Sequence, residues 1–236
     1  MVTLKHQERF RTAKGVFDAH TDRTLFELQS RGIFDELESP LSVGKESNVF
    51  IALKDGEKVI VKIYRMQNCD FNSMFDYIRK DPRYEFMKKH RRQIIMAWAQ
   101  REFKNLIKAE RAGIKTPEPL GWRNHIVVEE FIGDVEAAPP LKDQYPEDPE
   151  KFFETTIKQM KMLYDAGLIH GDLSSFNILN HNEEPYFIDY SQGTLTKTPN
   201  SMELLERDVR NICKFFKKLG VDTNYEETLK KIVAKK

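Results

Sequence analysis

The sequence predicts an α+β fold in which strands dominate the first half of the chain and helices dominate the second. Two observations support this fold class. Short β-rich runs separated by turn residues follow one another between positions 41 and 64 and recur at 125–132. Apolar residues at helical spacing occupy 94–111, 149–166 and a segment after position 200. A length of 236 residues is ample for a well-buried core.

The first β-rich run contains a polar turn with one glycine. Residues 41–50 read Leu-Ser-Val-Gly-Lys-Glu-Ser-Asn-Val-Phe, which predicts a strand, a turn and a second strand. The backbone N–H groups of such a turn are free to face phosphate oxygens. Neither the Walker sequence nor the glycine-rich dinucleotide sequence is present, so the turn is a weak signal by itself. The residues assigned to nucleotide binding here are Ser42, Gly44, Lys45, Glu46, Ser47 and Asn48.

A lysine and a glutamate in the first half are predicted to form an ion pair. Lys62 ends an apolar run in the second strand of a hairpin with an Asp-Gly turn, where a lysine needs an anionic partner. Glu102 lies on the apolar stripe of the helix at 94–111, where an unpaired carboxylate is costly. The alternative is a solvated Glu102 at the edge of that stripe.

The connection between that strand and helix, residues 67–89, contains several charges and shows no sustained period. Connections of this length are usually functional or mobile. Apolar residues at 71–78 fit a short amphipathic helix, which would either pack on the protein's own surface or dock a partner.

The most informative motif is Ile-His-Gly-Asp-Leu-Ser-Ser-Phe-Asn at 169–177, followed by Phe-Ile-Asp at 187–189. An aspartate, an asparagine five positions later and a second aspartate after a short strand form an arrangement used for phosphoryl transfer. Asp172 can orient an attacking hydroxyl, while Asn177 and Asp189 offer the oxygen ligands that Mg²⁺ prefers. The same residue types occur in ordinary turns, so the upstream features are needed to favour a kinase.

Together these motifs resemble the RIO family of atypical protein kinases. The matching segments are 44–50, 61–64 (Val-Lys-Ile-Tyr), 169–177, 187–192 (Phe-Ile-Asp-Tyr-Ser-Gln) and 205–212 (Leu-Glu-Arg-Asp-Val-Arg-Asn-Ile). The match is to the first RIO subfamily, because only some forty residues precede the phosphate turn and the second subfamily carries a winged-helix domain there. The resemblance implies a bilobed protein-kinase-like fold with a helical extension at 1–36, a β-rich N-lobe at 37–133 that includes a flexible insertion at about 67–90, and a mainly helical C-lobe at 134–236.

The resemblance also implies the parts of the active site. Asp172, Asp189 and Lys62 are the expected catalytic residues, Asn177 and Asp189 the metal ligands, and ATP with Mg²⁺ or Mn²⁺ the cofactors. Backbone groups of Glu130 and Ile132 are expected to hold the adenine edge.

Two neighbours of this site receive structural roles. His170 is expected to shape the catalytic loop, not to act as a base. Asp208 is expected to support the backbone of that loop, the alternative being an exposed charge.

The chain departs from ordinary protein kinases after Asp189. Tyr-Ser replaces Phe-Gly, and about ten residues precede the next helix, for which Asn200 and Glu203 predict a capping box. The fold is therefore expected to lack a conventional activation segment. Gly171 stands where regulated kinases carry an arginine, so regulation by activation-loop phosphorylation is not expected.

Three function classes compete. The resemblance supports an ATP-dependent, non-specific serine/threonine protein kinase capable of autophosphorylation and acting in maturation of the small ribosomal subunit. The alternative is an ATPase-driven conformational switch on pre-ribosomal particles, with Asp189 as a transient phosphoryl acceptor. The third class, a small-molecule phosphotransferase of the aminoglycoside or choline kinase type, is disfavoured by the turn at 44–48 and by the lack of substrate-binding helices after Asp189.

Composition limits the partners and the location. A net charge of +1 does not indicate a non-specific nucleic-acid binder, although the basic stretch at 5–14 can contact RNA or remain solvated. The apolar runs are short, and the N-terminus lacks a signal peptide's apolar region, so we expect a cytoplasmic protein with no membrane contact. The two cysteines predict neither a disulfide nor a zinc site. The family resemblance implies small-subunit precursors, their proteins or their rRNA as partners and leaves the protein substrate open.

Overall fold

The structure is a computed structural model that describes residues 17–67 and 69–234. It confirms the α+β class and the two lobes, whereas the basic stretch at 5–14 lies outside the described residues. In chain order the described elements are α1 (Ala19–Ser30), β1 (Glu36–Val43), β2 (Ser47–Lys54), β3 (Glu57–Tyr64), α2 (Phe71–Ile78), a 3₁₀ turn (Pro82–Tyr84), α3 (Arg91–Arg111), β4 (Pro119–Arg123), β5 (Ile126–Glu130), α4 (Pro149–Asp165), β6 (Leu168–Ile169), β7 (Ile178–His181), β8 (Glu184–Phe187), a second 3₁₀ turn (Tyr190–Gln192), β9 (Thr194–Leu195), α5 (Ser201–Lys218) and α6 (Tyr225–Val233).

The N-terminal lobe is built on an antiparallel sheet with the order β1-β2-β3-β5-β4. The β2–β3 turn matches the Asp-Gly prediction, since Asp55 and Gly56 both have positive φ, 51° and 86°. Alternate residues of the central strands point to opposite faces. Val128 packs in the core that contains Leu25 of α1, whereas Val127 packs in the core that contains Trp98 of α3.

The insertion between β3 and α3 packs on the protein's own surface in its described part. Met74 and Ile78 of α2 are 1% and 0% exposed and belong to the same core as Trp98. The short amphipathic helix is thus present. Helix α3 begins at Arg91, three residues before the predicted start.

The C-terminal lobe packs α4, α5 and α6 around one core, which includes Phe152, Leu205, Phe216 and Ile232. Two small antiparallel sheets are formed by β6 with β9 and by β7 with β8. Along the chain, β6 and β7 flank the loop at 170–177, and β8 and β9 flank Asp189. The prediction of a capping box at the start of α5 is wrong, because the Asn200 side chain makes no cap hydrogen bond. None of the described helices combines the length and the apolar composition that crossing a membrane requires.

Candidate active site

A cleft of about 520 Å³ lies between the sheet and the C-terminal lobe. A second recess of about 270 Å³ shares four lining residues with it and extends under the 44–47 turn. The predicted site residues that line one or both are Ser42, Gly44, Lys45, Glu46, Ser47, Lys62, Glu130, Ile132, Asp172, Asn177 and Asp189. Residues from both halves of the sequence therefore meet around one elongated cavity.

Lys62 is at the centre of this site. Its Nζ lies 2.6 Å from Glu102 Oε1 and 3.0 Å from Asp189 Oδ1. The predicted ion pair is therefore present, and the alternative of a solvated Glu102 is wrong because its side chain is 1% exposed. The Tyr64 hydroxyl donates to Glu102 Oε2 at 2.5 Å. Sequence reasoning missed Tyr64, although its position two residues after Lys62 places it on the same face of β3.

Lys62 and Asp189 favour the charged form of each other, whereas burial raises the pKa of Glu102. Burial would lower the pKa of Lys62, but Asp189 and Glu102 outweigh burial and raise that pKa well above its ordinary value. Burial would raise the pKa of Asp189, but Lys62 outweighs it and lowers that pKa to about 2. Burial and the charge of Asp189 together raise the pKa of Asp172. A carboxylate with a raised pKa is a better proton acceptor.

Asp172 and Asn177 come from the loop between β6 and β7. The Asn177 amide donates to the backbone carbonyl of Asp172 at 2.8 Å and to its Oδ2 at 3.2 Å. The Asn177 backbone carbonyl accepts from the N–H of Ile188 at 3.0 Å, so Asn177 lies beside the chain that leads into Asp189. Asp189 has a φ of 63°, which turns the chain sharply at the end of that segment.

The donor set fits a magnesium ion. The Asn177 amide nitrogen donates to Asp172, which leaves its Oδ1 available, and the Asp189 carboxylate supplies further oxygens. Within residues 17–67 and 69–234, no three His, Cys, Asp or Glu side chains cluster as a metal cage. Mg²⁺ does not need such a cage, because it commonly takes one or two carboxylates together with phosphates and waters.

The catalytic loop is held from α5. Asp208, 1% exposed, accepts from the N–H of Gly171 at 2.7 Å and from the N–H of Leu173 at 2.9 Å. The expected supporting role is thus present, and the exposed-charge alternative is wrong. Arg207 adds a hydrogen bond to the Gly171 carbonyl. His170 is buried and hydrogen-bonds the Ile188 carbonyl through Nε2 at 2.9 Å, as expected of a scaffold residue.

Asn48 is the predicted site residue that the structure separates from the cleft. Its Oδ1 accepts from Arg65 at 2.9 and 3.2 Å, and it lines a different recess. The reason is strand alternation, because Ser47 and Val49 line the cleft and the residue between them faces away. The side chain of Asn48 therefore does not reach the cleft, and the expectation that backbone N–H groups of the turn face phosphate oxygens stays a prediction.

Glu130 and Ile132, whose backbone groups are expected to hold the adenine edge, both line the cleft. The Glu130 N–H donates to the Glu118 carbonyl at 2.9 Å, so its carbonyl is the backbone group left to face a ligand. The Ile132 carbonyl accepts from Ala138 at 2.8 Å, which leaves the Ile132 N–H as a donor. One backbone acceptor and one backbone donor at this side of the cleft suit the hydrogen-bonding edge of a nucleotide base. Sequence reasoning missed their neighbour Glu129, a buried carboxyl in an otherwise apolar stretch of strand.

A buried polar network ties α3 to the segment after Asp189. Asp81 pairs with Arg83 at 2.6 Å and with Arg101 at 3.2 Å. Asn105 donates to the carbonyls of Tyr190 and Gly193 at 3.0 and 2.8 Å. This network connects the insertion, the helix that carries Glu102, and the turn after Asp189.

Known proteins are similar to this chain in sequence and in fold. The RIO1 family model, described as the RIO domain, matches residues 48–229. The RIO-type serine/threonine-protein kinase Rio1 of Methanocaldococcus jannaschii is 43% identical over 98% of this chain and 80% of its own length. The Rio1 kinase of Haloferax volcanii is 39% identical over 94% of this chain and 77% of its own.

The solved structures agree on the fold. The crystal structure of Rio2 kinase from Chaetomium thermophilum in a complex with ADP, Mg²⁺ and phosphoaspartate has a TM-score of 0.69 at 25% identity, covering 88% of this chain and 65% of that chain. The match over residues 48–229 includes Lys62, Asn177 and Asp189, which line the cleft, and Asp172, which lines the adjoining recess. On this sequence and this architecture, the chain belongs to the RIO domain family.

Proposed function

We propose that the chain is an ATP-dependent serine/threonine protein kinase of the RIO type, capable of autophosphorylation. The observation that supports this most is the meeting of Lys62, Asp189 and Asn177 in one cleft, with Asp172 lining the adjoining recess. The kinase names of the Rio1 relatives support it independently. Residues 37–133 and 134–236 form the two lobes in this proposal, and residues 1–36 precede them.

The proposed mechanism gives each residue one task. Lys62, held by Glu102, binds phosphate oxygens of ATP beneath the turn at 42–47. Asp172 orients the attacking serine hydroxyl and accepts its proton as the new oxygen–phosphorus bond forms and the bond to the ADP leaving group breaks. Mg²⁺ bound to Asn177 and Asp189 would offset charge on the transferring phosphoryl group, and Mn²⁺ has the same ligand preference.

An ATPase switch is the second candidate. Only one short 3₁₀ turn and the two-residue strand β9 lie between Asp189 and α5, so the chain offers no extended platform for a peptide acceptor. The phosphoaspartate in the Rio2 complex from Chaetomium thermophilum supports Asp189 as the acceptor in this version. In this version a carboxylate oxygen of Asp189 would form a bond to the γ-phosphorus as the bond to the ADP oxygen breaks and ADP leaves. Water would then attack the phosphorus, the bond to the Asp189 oxygen would break, and inorganic phosphate would be released.

The biological setting is also a proposal. We place the protein in the cytoplasm, acting in small ribosomal subunit maturation and binding small-subunit precursors through their proteins or rRNA. This setting rests on the RIO resemblance. Binding to purified small-subunit precursors that requires nucleotide would support it, and equal binding with and without nucleotide would contradict the switch version.

The deciding experiment follows the label from γ-labelled ATP with Mg²⁺. The proteins are the wild type, Asp172→Ala and a matched surface variant, Asp143→Ala, whose side chain is 54% exposed. Acid-stable label on serine that requires Asp172 identifies a protein kinase. Free phosphate with hydroxylamine-sensitive label on protein identifies the switch. Equal turnover in Asp172→Ala, or none in the wild type, would overturn the assignment.

A further inference from the structure

One carboxyl group that lines the cleft has no partner among the residues that the structure describes. Glu129 on β5 is 9% exposed and lines the cleft. Its carboxyl makes no hydrogen bond or ion pair to any residue that the structure describes. The carboxyl lines the cleft and is not closed off from it, so a ligand bound there can reach it and supply a hydrogen-bond partner.

The strand register aims Glu129 into the cleft. Glu129 pairs with Ile60 and Val127 pairs with Lys62 across β3 and β5, and cross-strand partners share a face. Ile60 and Lys62 both line the cleft. Val128 points the other way into the N-terminal core. The side chain of Glu129 therefore lies on the ligand face, one residue before Glu130.

The cation near Glu129 is already paired with two other carboxyl groups. Lys62 is engaged by Glu102 and Asp189, and Glu129 is the third carboxyl of this neighbourhood. Burial, reinforced by the charge of Glu102, raises the pKa of Glu129 to about 8. The carboxyl is therefore mostly protonated at neutral pH and presents one O–H donor beside one acceptor oxygen.

This donor and acceptor pair matches one purine. The edge of adenine presents the N6 amino group as a donor and N7 as an acceptor, a pattern that a Gln amide reads with two hydrogen bonds. A protonated glutamate has the same pattern. Guanine presents two acceptors there, O6 and N7, so the acceptor oxygen of the carboxyl would face another acceptor.

We propose that Glu129 is a base-specificity residue of the cleft, accepting a hydrogen bond from the adenine N6 amino group and donating one to N7. This inference rests on the proposed ATP site and deepens it. It adds a side-chain contact to the backbone contacts of Glu130 and Ile132. It predicts that the protein selects ATP over GTP through this side chain.

The test measures binding by calorimetry and needs no turnover. ATP, GTP and 7-deaza-ATP, which lacks N7, are each titrated with Mg²⁺ into the wild type, Glu129→Gln and Glu129→Leu. The wild type and Glu129→Gln are expected to bind ATP about tenfold or more tightly than GTP and 7-deaza-ATP. Glu129→Leu is expected to lose most of both preferences. Glu57→Leu, an exposed position on β3 outside the cleft, should behave as the wild type.

The outcomes separate this inference from the function on which it rests. If the wild type and Glu129→Leu both bind ATP and show the same ATP to GTP ratio and the same loss with 7-deaza-ATP, the inference is wrong and the ATP site stands. If the wild type binds no ATP, the proposed function fails and the inference fails with it. Glu129→Gln is the control for misfolding, because it keeps the size and the hydrogen-bonding pattern of the protonated side chain.

Discussion

The Asp81 carboxylate lies 3.2 Å from Arg101, the residue that directly precedes Glu102 on α3. Both side chains are at most 1% exposed, and Asp81 also holds Arg83. Burial lowers the pKa of Arg101 to about 10, a shift that Asp81 partly offsets. A carboxylate from the insertion thus neutralises the cation that directly precedes Glu102, the partner of Lys62.

Removing this carboxylate should destabilise the lobe. Asp81→Ala leaves two arginines without their anion, so we expect the free energy of unfolding to fall by about 3–5 kcal/mol and ATP turnover to fall with it. Urea unfolding and labelled-ATP turnover measure the two effects. Asp76→Ala breaks the exposed Asp76–Arg79 pair and should cost less than about 1 kcal/mol. Equal losses in both variants would contradict the importance of the buried pair.

The second prediction concerns Lys62. Lys62→Met leaves Glu102 and Asp189 without a cation, so we expect ATP affinity to fall at least about tenfold. Calorimetric titration with ATP and Mg²⁺ measures this loss. Lys115→Met, which removes an exposed lysine paired with Glu184, should bind as the wild type does. Unchanged affinity in Lys62→Met would remove Lys62 from the phosphate site.

The third prediction separates chemistry from binding at Asp172. Asp172→Asn keeps the size of the side chain but loses the proton acceptor, so single-turnover phosphoryl transfer should slow by about 10²–10⁴-fold. ATP affinity should change little, because Lys62 and the turn remain. Asp134→Asn, whose carboxylate is 81% exposed in the wild type, is the matched control. A parallel loss of affinity and rate would mean that Asp172 acts in binding.

The fourth prediction tests the support of the catalytic loop. Asp208→Ala leaves the N–H groups of Gly171 and Leu173 without their acceptor, at a cost of about 1–3 kcal/mol for each donor. Asp208→Asn keeps one acceptor and should fall between the wild type and Asp208→Ala. Hydrogen exchange at the two amides, read beside urea unfolding, checks this order. Protected amides in Asp208→Ala would show that other contacts hold the loop.

The fifth prediction is a pH dependence of stability. Burial lowers the pKa of His125 and of His170 from 6.5 to about 4. The unfolded chain therefore binds more protons between pH 6.5 and 4, and each histidine removes up to about 1.4 kcal/mol of stability per pH unit as the pH falls. Urea unfolding of His125→Asn should give a shallower acid slope than the wild type. His90→Asn, at an exposed position, should keep the wild-type slope.

Local signals in the sequence were enough to predict most of the site. The Asp-Gly turn, the run before Lys62 and the spacing from Asp172 to Asn177 each depend on near neighbours in the chain, and the structure agrees with them. The direction of the Asn48 side chain could not be predicted from the turn sequence, because it depends on the phase of strand β2. Phase is fixed by pairing with a distant strand.

The parts that sequence reasoning missed depend on contacts between distant segments. Asp81 and Arg101 are twenty positions apart on separate elements, and neither lies in a motif. Glu129 reads as the acidic end of a strand until the register with Ile60 shows its face. The sequence predicted the helix at 71–78 but left open what it packs on, which the contacts of Met74 and Ile78 with the core around Trp98 show.

The contacts of Asn105 with Tyr190 and Gly193 have a consequence for how activity is timed. A side chain of α3 holds the turn that follows Asp189, and Lys62, Glu102 and Asp189 already contact one another. Under the proposed kinase function, we therefore expect protein that has never been phosphorylated to transfer phosphate without a lag. The rate would then depend on the amounts of protein and acceptor present.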